Sequence, residues 1–418
     1  MQSTEQKRLW GFVDWATQKH AVCVVDADGS PVKEFSVDNS PEGLAALVMQ
    51  LTELVQESLQ CIPIGIEVPH GPVVDALLEA GFTAFALNPK QIDRFRDRYS
   101  PAGAKDDRRD SFVGANALRT DPNAFHCIDP DHPAVVELRE WSRMDRDLGQ
   151  DLLAQANRLR EQMLRVAPHW LTLSPAATEP WLWSMLELAP TPKAAAALTV
   201  RQVQAVLKRH RIRRLSAKQI LTMWQSPCLG TPEGVLTAVS AHITLLIAQL
   251  RLLHDQRRQA TAALTRCLNA CQAVFTARPG RSSDVEIALS MPGVGIHVAA
   301  CLFGEAGRCL ASRNLKAFRA YTGIGPITKS SGKSRLVVMR RSCDLRLRDA
   351  CHHWARIAAQ RDPRSKEHYA TMIRKGHSHA RAVRGLADRL AARFFVMLER
   401  GTPYDPYHRR IPPGTENA

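Results

Sequence analysis

Four carboxylates stand where they can share one piece of chemistry: Asp14, Glu67, Asp107 and Asp110. Asp14 closes an apolar run, Leu9–Asp14, that reads as a strand. Glu67 closes a second run, Ile62–Val68, just before Pro69 and Gly71 break it. Asp107 and Asp110 are three residues apart in a helical stretch, so both project from one face. Strand ends and one helix face can converge on a cluster of hard oxygen donors. Two-metal phosphoryl transfer uses such a cluster, with the metals about 3.5–4 Å apart and one side open to a scissile phosphate. Each acid alone has a plainer reading. An aspartate at a strand end is commonly a turn residue, and KDDRRD is equally a solvated helix start, because acids favour that end. Asp106 competes with Asp107. The i, i+3 relation to Asp110 favours Asp107 and leaves Asp106 as the cap.

The surrounding segments predict how these residues are held. Leu9–Asp14, His20–Asp26 and Val32–Val37 read as a three-stranded antiparallel meander, with a tight turn at Asp28-Gly29. Ser40 can cap a helix over Pro41–Leu59. Then follow a buried strand at Ile62–Val68, a helix over Gly71–Ala80, a strand at Thr83–Leu87, a helix over Pro89–Tyr99 with basic outer positions, and a helix over Asp106–Leu118. The order β-β-β-α-β-α-β-α is the RNase H-like (RuvC-like) α/β order. Residues 131–168 and 233–278 form two long helical patterns with heptad-like apolar spacing, which predicts a long antiparallel coiled-coil arm. Residues 169–231 between them are rich in Pro, Trp and Leu. They turn basic at LKRHRIRRLSAK (207–218) and read as a small helical insertion. The remainder is mostly α-helical. The expected domains are 1–125, 126–280 including the insertion, 281–402, and an irregular tail over 403–418.

Two motifs mark the last third. Ser290–Gly307 (SMPGVGIHVAACLFGEAG) places Pro-Gly-Val-Gly between apolar helices, a helix-hairpin-helix-like element. Gly293 and Gly295 there can let backbone N–H groups approach a DNA phosphate. An ordinary helix–helix turn explains the same residues. Phe318–Arg341 carries Gly323 and Gly325, then a Ser-Ser-Gly loop in a basic stretch. A serine in such a loop can approach a phosphate, with Lys333 and Arg335 neutralising charge. Ser-Gly is common in loops, so this signal alone is weak.

The composition bounds the rest. The chain has 418 residues, 45% of them hydrophobic, enough for two or three domains with real cores. No run of 18 or more apolar residues appears, so no membrane span is expected. The ten cysteines form no CxxC pair, which argues against a zinc ribbon and fits a reducing, cytoplasmic setting. The net charge of +15 is unevenly spread: −5 over residues 1–120, +6 over 121–280 and +14 over 281–418. A basic terminal third attracts polyanions, so nucleic acid is the expected partner.

Taken together, GFVDWATQKHAVCVVDADG (11–29), IGIEVPHG (64–71), NPKQIDRFRDRYSPAGAKDDRRDS (88–111), MPGVGIHVAACLFGEAG (291–307) and YTGIGPITKSSGKSR (321–335) give nearly the whole chain a pattern. It resembles the IS110 family of insertion-sequence transposases. The resemblance implies a RuvC-like DEDD domain, a coiled-coil linker and a C-terminal "transposase-twenty" domain. It maps the DEDD acids onto Asp14, Glu67, Asp107 and Asp110, and the family's serine onto Ser331, with Ser330 one register away. It further implies a serine-dependent recombinase. The serine attacks a DNA phosphate, the acids bind Mg²⁺ (or Mn²⁺), and the serine of one subunit completes the acid site of another. The implied partners are donor and target DNA, a structured noncoding bridge RNA, and further copies of the chain as a dimer assembling to a tetramer. The implied location is the bacterial nucleoid. Lys105, Arg108, Lys329, Gly332, Lys333, Arg335, Arg340 and Arg341, with Gly293 and Gly295, are then the expected nucleic-acid contacts. Two other classes remain open on the residues: a RuvC-like nuclease using metal-activated water, and a non-enzymatic nucleic-acid-binding protein.

Overall fold

The structure, a computed structural model, describes residues 8–54, 62–99, 106–128, 131–228, 230–275, 281–332 and 334–406. The chain divides into two compact units, Met1–Asp131 and His132–Ala418.

The first unit is a mixed sheet with flanking helices. Strands β1 (Trp10–Asp14), β2 (Lys19–Val25) and β3 (Pro31–Asp38) form the antiparallel meander. Helix α1 (Pro41–Thr52) follows, then β4 (Pro63–Ile66), α2 (Pro72–Glu79), β5 (Thr83–Ala86), α3 (Pro89–Asp97), α4 (Asp107–Thr120) and β6 (His126–Ile128). The sheet order is β3-β2-β1-β4-β5-β6. β4 runs parallel to β1, β5 parallel to β4, and β6 antiparallel to β5. Helix starts follow local chemistry. Ser40 accepts from the Gly43 N–H, Asn88 accepts from the Lys90 N–H, and a proline stands in the first turn of each helix. Strand alternation divides the core between the two sheet faces. Val13, Val22, Val24, Ile64 and Ile66 pack on one side, while Phe12, Cys23 and Val25 pack with α4 on the other.

The second unit is built on two long helices, α5 (Pro133–Val166) and, further on, a 42-residue helix over Glu233–Val274. Between them lie α6 (Pro180–Leu188), α7 (Pro192–Ala196), α8 (Val200–Arg209) and α9 (Ala217–Trp224), which makes the long later helix α10. The pair runs antiparallel. The Cys271 thiol donates to the Ala134 carbonyl, Arg257 meets Asp145, and Thr231 donates to the Arg165 carbonyl. By length and composition α10 is apolar enough to cross a bilayer. Its Val239, Ile243, Leu246, Ile247 and Leu250 pack with the insertion helices, and its Leu264, Leu268 and Cys271 enter a second core with the C-terminal helices. Those are α11 (Asp284–Ser290), α12 (Ile296–Ala311), α13 (Leu315–Thr322), α14 (Leu345–Arg361), α15 (Pro363–Arg374) and α16 (His379–Arg400). A hairpin of β7 (Ile327–Ser331) and β8 (Ser334–Val338) lies between α13 and α14. The nine described cysteines are all free thiols.

Asp145 ties α5 to both α10 and α12. It is 5% exposed and pairs with His297 (2.8 Å) and Arg257 (3.4 Å). Burial pushes its carboxyl up, but the hydrogen bond and charge of His297, joined by Arg257, outweigh that and hold it below the usual range. A depressed folded pKa contributes stability above the unfolded value of about 3.9, which is lost as pH falls through the folded one. Asp145→Asn is therefore expected to lower the melting temperature at neutral pH and to flatten its fall below about pH 4. Melting curves of both proteins from pH 2 to 7 check this; parallel curves would show that the pair contributes nothing.

Candidate functional site

Asp14 is the last residue of β1 and Glu67 the first beyond β4. The two strands are parallel neighbours, and their register ends at Val13↔Ile66. The two acids therefore leave adjacent strands at the same end, one step past a paired couple. Phe12 lies on the α4 face, where a Cβ added at Gly114 of α4 would overlap its ring. Alternation then puts Asp14, two residues on, on that same face. Asp107 and Asp110 lie on a helical stripe with Gly114, two turns and one turn before it respectively. Asp106 takes the N-cap position in extended conformation, though its side chain makes no cap hydrogen bond. Asp107 is exposed at the first helical position, whereas Asp110 is 5% exposed.

Asp110 has a cation already. Arg96 of α3 donates from Nε to its Oδ1 at 2.7 Å and from Nη1 to Asp93 at 3.0 Å. The expectation that α3 carries its basic residues outward fails at this position, because Arg96 turns inward to a buried carboxylate. Sequence spacing gave no sign of the pair; only the packing of α3 on α4 creates it. Arg108, expected to meet nucleic acid, is exposed and paired with Glu34 of β3. Lys105 lies outside the described residues.

The donor set suits a hard divalent cation in kind, because all four side chains offer carboxylate oxygen. Asp14 and Glu67 share one sheet end, and Asp107 and Asp110 share one helix face. Among the described residues, however, no three His, Cys, Asp or Glu side chains stand close enough together to hold a metal.

In the second unit, Gly293 (φ +86°) sits in the turn between α11 and α12. A Cβ there would lie 2.6 Å from the Trp354 carbonyl and 2.8 Å from the Ala358 nitrogen, both on α14. Its close backbone approach is thus satisfied within the chain, and Trp354 Nε1 locks the turn by donating to the Pro292 carbonyl at 3.0 Å. Gly295 is exposed at the N-cap of α12, with open space around it.

The segment expected as a serine loop is a two-stranded hairpin. Ser331 pairs with Ser334 and Ser330 with Arg335, so the two serines face opposite sides of the ribbon. Lys329 and Leu336 share the Ser331 side, while Val337 and Arg335 share the Ser330 side. Gly332 makes the turn at φ +54°, and Lys333 lies outside the described residues. Both serines, Lys329, Gly332 and Arg335 are exposed, as is Arg341 just beyond β8; the neighbouring Arg340 has its Nε buried without a hydrogen-bond partner.

The first unit is a mixed sheet with acids at the ends of two adjacent strands, and the second is helical. Comparison with known proteins gives the family. Residues 13–168 match a family model described as "Transposase", of the IS110 DEDD type, and residues 285–370 match one described as "Transposase IS116/IS110/IS902 family". The chain belongs to the IS110 family of insertion-sequence transposases. A candidate transposase of Sinorhizobium fredii, y4uE, is 45% identical over 216 residues, 51% of this chain and 60% of that protein. The mini-circle candidate transposase for IS117 of Streptomyces coelicolor is 29% identical over 401 residues, 94% of each chain. The insertion element IS110 protein of the same organism is 27% identical over 350 residues, 81% of each.

Proposed function

We propose that the chain is a DNA transposase that cuts and rejoins DNA at the ends of an insertion sequence. What supports this is where the acids stand in the fold: Asp14 and Glu67 at the ends of adjacent parallel strands, with Asp14 on the α4 face, and Asp107 and Asp110 on one stripe of α4. The sheet order β3-β2-β1-β4-β5, antiparallel then parallel, supports an RNase H-like reading of the first unit. Asp14, Glu67, Asp107 and Asp110 would hold divalent metal, Mg²⁺ or Mn²⁺, which when bound supplies Lewis-acid stabilisation of phosphate charge. Ser331 Oγ attacks a DNA phosphorus. A P–Oγ bond forms and one P–O ester bond to deoxyribose breaks. The serine proton leaves to solvent, and the released deoxyribose oxygen takes one up. The ester bond energy is kept in the protein–DNA link, so attack by a second strand's hydroxyl rejoins DNA without another energy source. The exposed cations of the hairpin, Lys329 and Arg335, stand beside the serines and favour an approaching phosphate. The helix-hairpin-helix-like turn at Gly295, the antiparallel α5–α10 pair as an arm, a guiding noncoding RNA and assembly into dimers and tetramers belong to the same proposal.

The test is a donor plasmid carrying the element with its flanks, alongside a target plasmid, in cells expressing the chain. Wild type is expected to give excised and joined products, and Glu67→Ala none. Joined product from Glu67→Ala at the wild-type level sinks the proposal.

A further inference from the structure

The insertion between the long helices carries a face that neither the acids nor the serine hairpin uses. α8 and α9 bury one side each: Val203, Val206 and Leu207 from α8, and Ala217, Ile220 and Trp224 from α9. Both helices begin in capping boxes, Thr199 with Gln202 and Ser216 with Gln219, so the face is a firm platform. Its outer side carries Arg201, Lys208, Arg209, Arg211, Arg213 and Lys218, all exposed. None of these six side chains has an ion pair or hydrogen bond in the described structure; only Lys208 and Arg209, in the last turn of α8, have a folding use for their charge, against the helix dipole.

The segment 169–231 contains two carboxylates, Glu179 and Glu187. Each is already taken. Arg214 pairs with Glu179 at 2.8 Å, and Arg251 of α10 pairs with Glu187 at 2.6 Å. Six positive charges therefore stand uncompensated within eighteen residues. One of them is held at a conformational cost. Arg211, two residues beyond α8, has φ +54°, where glycine or asparagine is cheaper by about 1 kcal/mol. The position keeps a long cationic side chain in a place where the backbone favours having none.

We propose that this α8–α9 face is a duplex-DNA contact that reads the phosphate backbone and no base sequence. Six cations on a capped helix pair and the loop that joins it match phosphates by charge. The tryptophans of the segment, Trp170, Trp181, Trp183 and Trp224, are all buried. The face thus lacks the aromatic platform on which single strands stack, which favours a duplex. Only the choice of DNA over RNA rests on the transposase reading.

The experiment is equilibrium binding of the full-length protein to a 20-base-pair DNA duplex of arbitrary sequence, across a salt series and without metal, so that no cleavage is required. Arg209→Ala/Arg211→Ala/Arg213→Ala is expected to weaken binding roughly 100-fold at 0.15 M salt and to reduce the slope of log K against log salt by about 2.7. The Arg→Lys triple restores the slope. Arg211→Gly alone reduces it by about 0.9 while the melting temperature holds or rises. That variant keeps the test valid if the triple melts early. An unchanged slope in both alanine and glycine variants overturns the proposal, as does a loss confined to an RNA duplex of the same length, or an equal loss on single-stranded DNA. Because binding is read without catalysis, a chain that binds here and never cuts fails the transposase reading and not this one.

Discussion

Alanine at Ser331 is expected to abolish both the covalent protein–DNA link and strand joining, with product falling by about a thousandfold or more. The reason lies in what the side chain does and does not touch. Ser331 is exposed at the end of β7, and the position opposite is another exposed serine, Ser334. Removing its hydroxyl leaves no cavity and no orphaned partner, so stability should not move. What disappears is the hydroxyl proposed to replace a deoxyribose oxygen on phosphorus. Ser330→Ala is the matched control. Ser330 projects from the opposite side of the ribbon beside Arg335, so its loss should reduce joining far less. The measurement is denaturing electrophoresis of labelled donor DNA after incubation with each protein and Mg²⁺. A band of protein-linked DNA should appear with wild type and Ser330→Ala and be missing with Ser331→Ala. Cleavage at full rate by Ser331→Ala, with no linked band from any protein, would instead support metal-activated water as the nucleophile. An adduct lost in Ser330→Ala and kept in Ser331→Ala would shift the role by one residue.

How far such a site can be read from sequence depends on which interactions build it. The strands and helix starts of the first unit were legible because local chemistry sets them: alternating apolar runs, Ser40 before Pro41, Asn88 before Pro89. β6 was not, because three residues, His126–Ile128, carry no periodicity and are held only by pairing with β5. The hairpin of β7 and β8 left a signal in its Ser-Ser-Gly run, where Gly332 takes a positive φ. Leu336 and Val337 are both exposed, however, so neither face of the ribbon is buried and the in–out alternation that marks a strand is absent. Gly293 shows the opposite case. The motif suggested that the backbone approaches a DNA phosphate; in the fold the space beside Gly293 is taken by the backbone of α14. The four acids could be picked out by type and position. Arg96 could not, because an arginine that turns inward looks in sequence like one that faces solvent.

Arg96 also separates the expected consequences of removing two acids. Asp14→Ala should cut strand cleavage by about a thousandfold or more, since loss of a metal ligand forfeits several kcal/mol of charge stabilisation in the transition state. Asp110→Ala should do the same and also destabilise the first unit. It leaves the Arg96 guanidinium, whose side chain is only 17% exposed, facing the place of a missing buried partner. Breaking a buried pair from one side costs about 3 kcal/mol, whereas Asp110→Asn keeps an oxygen for Arg96 Nε and should recover part of that. Urea unfolding measured beside cleavage tells the roles apart. Asp14→Ala is expected to lose cleavage with the Arg96–Asp110 pair intact. Asp110→Asn should lie between wild type and Asp110→Ala in stability yet cleave no better than either alanine variant. If Asp110→Asn retained cleavage, the carboxylate would serve the Arg96 pair alone, and the metal would have to be held by Asp14, Glu67 and Asp107.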